Sequence, residues 1–168
     1  NAAIVRDPDN VLIREPFAAS FRTGEFDFTL CTIHILYGNS IPARRRELRL
    51  MDELVAAVKK ANGAEADVIL LGDFNFPPDD NGWQLEGWMP LVNPPTKTTI
   101  GDRSLYDNIW IHPDATSEYA QVYGVVEFDR TFYANDLDRA SLEMSDHRPV
   151  WAQFSTATDD DPDEYGDL

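Results

Sequence analysis

The spacing of apolar positions in the first third of the chain predicts a pair of β-strands. Residues 12–22 are interrupted by Pro16 and then resume an alternating apolar and polar pattern. The run 26–35 is rich in aromatic and β-branched side chains, which favour a strand. Thr23-Gly24-Glu25 between them is typical of a turn, so the two runs predict a strand pair.

The next two patterns predict a helix followed by a buried strand. Residues 44–61 place apolar side chains at helical spacing and charged ones between them, which predicts one amphipathic helix. Asn62-Gly63 is a good signal for its end. The segment 67–72, which contains the apolar run 68–71, then predicts a buried strand, which gives a β-α-β order.

The remaining residues predict further strands separated by irregular segments. The proline-containing segment 77–103 predicts a structured surface excursion, in which two glycines weaken a short helix at 82–87. Three more strands and a polar loop or short helix are predicted: strands at 105–111, 117–128 and 149–154, and the polar segment at 135–143. Residues 157–168 are strongly acidic and predict a disordered tail, so residues 1–156 form the predicted domain.

Charge and composition narrow the possible functions. The chain has 14 Lys and Arg against 30 Asp and Glu, a formal charge of −16, which argues against a protein that coats nucleic acid through many phosphate contacts. A nuclease stays possible, because an active site needs only local cations and a bound metal. No apolar run approaches the roughly 20 residues of a membrane span, so we expect a soluble protein of undetermined compartment. The single cysteine, Cys31, lies in an apolar run and is predicted to be a core residue.

Polar side chains occur where the predicted strands end or begin. These are His34, Asp73 with Asn75, Asp107, and Asp146 with His147. Ligands in layered α/β domains gather where strand ends and their loops converge, so we expect these groups to meet.

Together these residue types suit metal-assisted hydrolysis of a phosphoester. Asp146 and Asp73 are plausible ligands for Mg²⁺, which prefers oxygen, with the Asn75 carbonyl as a neutral ligand or its amide as a phosphate donor. A histidine can move protons near neutral pH, and Asp107 could fix the tautomer of His147. Each residue alone also has a structural explanation as a turn former, a strand cap or a core side chain. Their conjunction favours the catalytic hypothesis.

Five elements in order resemble the endonuclease/exonuclease/phosphatase family and its deoxyribonuclease I-like members. The elements are Arg14-Glu15-Pro16-Phe17, Thr32-Ile33-His34, Gly72-Asp73-Phe74-Asn75, Tyr106-Asp107-Asn108-Ile109 and Ser145-Asp146-His147-Arg148-Pro149-Val150. The resemblance implies an α/β fold, a sandwich of two β-sheets flanked by helices, with a divalent-metal-dependent phosphohydrolase site at one edge.

The resemblance also implies a role for each site residue. His147 is similar to the family's general base and Asp107 to the residue that orients it. His34 is similar to the acid or transition-state stabiliser near the leaving oxygen. Asp146 resembles a metal ligand, Asp73 and Asn75 resemble residues that hold phosphate or a second metal, and Arg14 resembles a phosphate contact. The implied cofactor is Mg²⁺, with Mn²⁺ or Ca²⁺ as alternatives.

Two details of the resemblance bear on the substrate. Family members that cleave abasic DNA usually lack a histidine at the position of His34, and inositol-polyphosphate phosphatases usually carry Trp-Cys-Asp-Arg where this chain has Leu105-Tyr106-Asp107-Asn108. We therefore expect a phosphodiesterase, most simply a nuclease acting on DNA or RNA. A phosphomonoesterase, a sphingomyelinase-like lipid phosphodiesterase and a non-catalytic binding module are the alternatives.

The chain departs from the family at its start. Family members open with a further half that supplies an asparagine and a metal-binding glutamate, and neither Glu15 nor Glu25 is a convincing substitute. We therefore expect these residues to be the C-terminal portion of a larger domain, with weak hydrolysis at most when alone. The expected partner of the apolar sheet face left exposed is the missing half or a second copy.

Overall fold

The strands and helices form two β-sheets with helices outside them. A computed structural model describes residues 2–7, 9–38, 40–63 and 66–159. Its strands are β1 Ala2–Ile4, β2 Phe17–Thr23, β3 Phe26–His34, β4 Val68–Asp73, β5 Met89–Pro90, β6 Asp107–Ile111, β7 Tyr119–Val125 and β8 Val150–Phe154. Its helices are α1 Ile41–Leu48, α2 Met51–Asn62, α3 Phe128–Thr131 and α4 Leu137–Glu143. The predicted strand pair, the β-α-β order and the last strand are all present.

The larger sheet has the strand order β1-β2-β3-β4-β6-β5, and β7 pairs with β8 in a second sheet. Strands β3 and β4 run parallel, because α1 and α2 carry the chain back between them, and the other pairs are antiparallel. Apolar side chains such as Ile69, Ile109 and Ile111 pack against Val150 and Phe154 between the two sheets. The expected two-sheet sandwich is therefore confirmed.

The opposite face of the larger sheet carries the main core under the two helices. Leu48 and Met51 from the helices are fully buried there, together with Leu70 of β4 and Cys31 of β3. The prediction that Cys31 is a core residue is confirmed, and burial raises the pKa of its thiol to about 12.

The single helix predicted at 44–61 is wrong in its boundaries. The chain forms two helices with a break at Arg49 and Leu50, and the first begins earlier, where the Ser40 side chain accepts from the Ala43 N–H. The carboxylate of Glu47, which is 2% exposed, accepts from the backbone N–H groups of Ile13 and Leu36. The pattern predicts a buried face that is entirely apolar, whereas the structure buries a carboxylate that accepts hydrogen bonds from the backbone of two loops.

The excursion at 77–103 packs against the sheet. Residues 82–87, all of them described, form turns and irregular backbone, so the short helix considered there is absent. The Trp83 ring lies 4.4 Å from that of Trp110 and 5.2 Å from that of Phe74, measured between centroids. Trp83 is therefore partly buried and packs against the main core.

Two further expectations concern the exposed parts of the chain. Phe17 and Phe21 of β2 are 45% and 48% exposed, on the face that β7 and β8 cover further along the sheet. That the missing half of the domain or a second copy covers these two side chains stays a prediction. Residues 157–159 are described, and the Asp159 carboxylate accepts from the Asp27 N–H, whereas the rest of the predicted tail lies outside the described residues.

In the part of the chain that the structure describes, no helix combines the length and the apolar character needed to cross a membrane.

Candidate active site

The pairing of three neighbouring strands places three of the predicted site residues side by side. His34 at the end of β3 lies opposite Asp73 at the end of β4, and Asp73 lies opposite Asp107 at the start of β6. Directly paired residues on adjacent strands point to the same face of a sheet. The three side chains therefore form a row at one edge of the inter-sheet face.

Gly72 is what allows β3 and β4 to stay paired at this edge. Its φ of 144° is one that side chains rarely adopt, and a Cβ at this position would lie 1.9 Å from the carbonyl oxygen of Ile33. The glycine of the Gly-Asp-Phe-Asn element thus permits the close backbone contact that sets Asp73 beside His34.

We expect Gly72→Ala to lower the free energy of unfolding by about 1–3 kcal/mol or more, because the methyl group has no room beside a backbone oxygen. Gly38→Ala is the matched control, since Gly38 has φ 145° and a Cβ added there would meet nothing within 4 Å, which isolates backbone strain from the clash. Urea unfolding of both variants measures the difference. Equal losses would show that the contact with Ile33 does not matter.

His147 reaches the row from the loop before β8. Its N–H donates to the Ser145 hydroxyl at 3.0 Å, and its backbone forms an isolated bridge with Thr99. The ring Nδ1 lies 2.8 and 3.0 Å from the two carboxylate oxygens of Asp107. The predicted pairing of Asp107 with His147 is thus present in the geometry, although the residues are 40 positions apart.

Asp73 lies between the two histidines. Its Oδ2 is 3.6 Å from His34 Nε2 and 4.0 Å from His147 Nδ1. Burial raises the pKa of Asp73, with Asp107 adding to this, while the Asn75 N–H and the two histidines oppose it. The hydrogen bond to Asp107 raises the pKa of His147 to about 9, against a smaller opposing effect of burial.

This raised pKa predicts a pH dependence of stability. Because the folded-state pKa of His147 lies above its ordinary value of 6.5, the stabilisation is fully present below that pH and is lost as the pH rises through about 9. We expect the free energy of unfolding of the metal-free protein to fall across this window. Urea unfolding at a series of pH values, with Asp107→Asn beside the wild type, measures it. The same slope in Asp107→Asn would assign the effect to other groups.

Asn75 holds Asp73 in place. It is 2% exposed with a φ of 52°, and its Nδ2 donates to the Ile35 carbonyl at 2.9 Å and to Asp73 Oδ2 at 3.3 Å. Its backbone N–H donates to Asp73 Oδ1 at 2.9 Å. Both hydrogens of the side-chain amide are engaged, so the geometry favours orientation of Asp73 over the direct phosphate contact considered from sequence.

These side chains line a cleft of about 740 Å³. Asp146 is exposed and lines it, and its backbone oxygen accepts from the Ile100 N–H. Arg14 is exposed in the segment before β2 and is not among the lining residues, so its predicted phosphate contact stays a prediction. Among the described residues that line the cleft, Arg103 is the only Arg or Lys. The sequence analysis did not single out Arg103, although it lies four positions before Asp107.

A buried ion-pair network supports the loop that carries His147. The Arg148 side chain is 1% exposed, and its Nε and Nη2 donate to the two carboxylate oxygens of Asp129 at 2.8 and 2.7 Å. Its Nη1 donates to Asp102 at 2.8 Å, and Arg130 also pairs with Asp102. The pairing raises the pKa of Arg148 and lowers the pKa of Asp129. The sequence carries no local signal for this network, because its members lie on separate segments.

The donor groups fit a divalent cation. Asp73, Asp107 and His147 each offer one ligand atom, and these atoms lie within 4.8 Å of one another. Carboxylate oxygens are the ligands that Mg²⁺ and Ca²⁺ prefer. Of the two ligands predicted from sequence, Asp73 belongs to this group, whereas Asp146 is a separate carboxylate of the cleft.

Comparison with known proteins identifies relatives by sequence. No family model matches the chain. The chain is similar to a deoxyribonuclease from a Thioalkalivibrio species, with 34% identity over 86% of this chain and 44% of that protein. It is also similar to human endonuclease/exonuclease/phosphatase family domain-containing protein 1, with 29% identity over 86% of this chain and 28% of that protein. The chain thus spans less than half the length of these relatives.

A solved structure shares the fold. The endonuclease domain of TRAS1, a telomere-specific non-LTR retrotransposon, aligns with a TM-score of 0.57 at 17% identity, covering 94% of this chain and 69% of that one. The sequence relatives, the shared fold and the motif order agree. The chain is therefore similar to members of the endonuclease/exonuclease/phosphatase family and has a deoxyribonuclease I-like fold.

Proposed function

We propose that this chain carries the proton-transfer residues of a divalent-metal-dependent phosphodiesterase, and that the protein is a nuclease. The observation that carries the proposal is the hydrogen-bonded pair of Asp107 and His147 in a cleft that also holds Asp73 and His34. Similarity to a protein named deoxyribonuclease supports the choice of reaction.

In this proposal His147 is the general base. Asp107 accepts the hydrogen on Nδ1, which leaves Nε2 free to take a proton from water as the water attacks phosphorus. The carboxylate fixes the tautomer and stabilises the imidazolium that forms. In the metal-free protein the surrounding carboxylates raise the pKa of His147 to about 9, so the ring carries its second proton at neutral pH. A divalent cation bound beside Asp73 would lower this pKa and favour the neutral ring that accepts the proton.

His34 is placed to serve the leaving group. Half of its side chain is exposed, at 49%, so a substrate oxygen can reach it, and Asp73 Oδ2 lies 3.6 Å from its Nε2. A protonated imidazole at this position can donate to the departing alkoxide oxygen. Asp73 keeps the ring at the edge of the cleft, and Asn75 in turn holds Asp73.

A bound divalent cation would neutralise charge on the phosphoryl oxygens. Asp73 and Asp146 are the carboxylates of the cleft that would hold it, because Asp107 and His147 are engaged with each other. Mg²⁺ is the ion we propose, and Mn²⁺ and Ca²⁺ share its preference for oxygen.

The charged side chains that line the cleft bear on the class of substrate. Arg103 supplies a positive charge for a phosphate at its wall, whereas Asp138 and Asp146 are acidic. A short stretch of nucleic acid with its phosphate held by a cation fits this balance better than binding through many basic contacts.

The test is hydrolysis by the protein encoded in the complete reading frame that contains this chain. Plasmid DNA, RNA, sphingomyelin vesicles and an inositol phosphate are assayed with MgCl₂ and with EDTA. We expect cleavage of nucleic acid in Mg²⁺ and its loss in EDTA, with recovery when Mg²⁺ is restored. Cleavage of the lipid or the inositol phosphate alone would replace the nuclease with one of the other phosphohydrolases, and no hydrolysis of any substrate would favour a binding module.

A further inference from the structure

We propose that Thr98 is a positioning residue that fixes Asp107 relative to His147. The proposal rests on the proposed function, because it concerns the same proton-transfer pair. Thr98 lies in the segment before the 3₁₀ turn Ile100–Asp102, is fully buried at 0% exposure, and does not line the cleft.

On one side, Thr98 binds the start of β6. Its hydroxyl oxygen accepts from the N–H groups of Tyr106 and Asp107, each at 3.0 Å. These two residues lie at the start of β6, and a side-chain hydroxyl is the acceptor for both of their N–H groups. The backbone position of Asp107 therefore depends on the Thr98 hydroxyl.

On the other side, Thr98 binds the loop that carries the histidine. Its carbonyl oxygen accepts from the Arg148 N–H at 2.6 Å, one residue after His147. The next residue, Thr99, forms the isolated bridge with His147 itself. A single buried residue thus bonds the backbone next to both members of the pair.

Backbone hydrogen bonds also connect the segment around Thr98 to the strand end that carries Asp73. The Thr98 N–H donates to the Ser104 carbonyl at 2.8 Å, which closes the loop back toward β6. The Tyr106 carbonyl accepts from the Phe74 N–H at 2.9 Å, directly after Asp73. A shift of residues 106 and 107 would therefore disturb both carboxylates that face His147.

Removing the hydroxyl isolates this role. Thr98→Val keeps the shape and the backbone bonds but leaves two N–H groups without their acceptor, whereas Thr98→Ser keeps the acceptor and loses a methyl group. In the protein from the complete reading frame, we expect Thr98→Val to lower kcat on DNA by about 10- to 100-fold with little change in KM, since misplacement of about 1 Å can have this effect. Thr98→Ser should stay within about threefold of wild type.

Thr131→Val is the control for the same exchange away from the cleft, because its hydroxyl is exposed and donates to the Glu127 carbonyl. A readout independent of activity is the NMR resonance of the His147 ring N–H, which a hydrogen bond to Asp107 protects from exchange with solvent. We expect this protection in wild type and Thr98→Ser and its loss in Thr98→Val. Should Thr98→Val not fold, Thr98→Cys replaces it, since a thiol is a weak acceptor of similar volume.

The two proposals fail in different ways. If the unaltered protein hydrolyses no substrate but Thr98→Val loses the protected ring resonance, the proposed function is wrong and the positioning role stands. If the protein is active and Thr98→Val keeps both its kcat and the protected resonance, the role of Thr98 is overturned.

Discussion

Replacing His147 by alanine is expected to lower kcat for phosphodiester cleavage by about 10²- to 10⁴-fold, the range that a positioned general base contributes. The reason is that Asp107 occupies Nδ1 and leaves the other ring nitrogen to take the proton of the attacking water. Steady-state rates on DNA at saturating Mg²⁺ measure the loss. KM should change little, because the role is confined to the transition state.

His112→Ala is the matched control for the loss of one imidazole, because His112 packs beside Trp88 and is not among the residues lining the cleft. Asp107→Asn should reduce kcat as well, since an amide cannot stabilise the imidazolium with a charge. An active His147→Ala variant would show that another group accepts the proton, and it would remove the basis of the mechanism.

The second large effect is on stability. We expect Arg148→Met to lower the free energy of unfolding by about 3–5 kcal/mol, because the Asp129 carboxylate, at 0% exposure, would lose its two charge-assisted hydrogen bonds and stay buried. Asp102 would lose one partner and keep Arg130. Urea unfolding monitored by circular dichroism measures the loss.

A second variant separates the buried charge from the lost packing. Arg148→Met combined with Asp129→Leu should recover much of the stability, because replacing both partners with apolar groups removes the uncompensated charge. Arg139→Met is the surface control: Arg139 pairs with Glu143 at 60% and 46% side-chain exposure, and its loss should change the free energy of unfolding far less than the loss of Arg148. Similar losses in Arg148→Met and Arg139→Met would show that burial of the network contributes nothing.

The predictable part of the fold follows from local spacing. The runs that form β3, β4 and β8 are continuous in the sequence and carry their own strand signals, so their positions were expected within one or two residues. The helix at 44–61 was predicted as one because its apolar spacing continues through Arg49 and Leu50. The break accompanies the buried Glu47, whose partners Ile13 and Leu36 come from distant loops that helical periodicity does not register.

The candidate site also has residues that the sequence predicts and residues that it does not. His34, Asp73 and Asp107 were expected to meet because each lies at a strand end, and the strand pairing brings strand ends to one edge. Arg103 and Thr98 were not expected, because an arginine in a polar segment and a threonine in a loop carry no periodic signal. Their parts in the cleft and its support depend on contacts between segments.

Two histidines and a set of carboxylates at predicted strand ends were evident from the sequence, because short runs of particular side-chain types favour strands on their own. Which of these groups contact one another depends on the three-dimensional packing of the strands and loops. His147 hydrogen-bonds to Asp107, and Asn75 hydrogen-bonds to Asp73. Asp146 lies outside the donor group, and Arg14 is not among the residues that line the cleft. The physical reason is that hydrogen bonds and ion pairs depend on separations of a few ångströms, which pairing register and buried contacts between distant segments set.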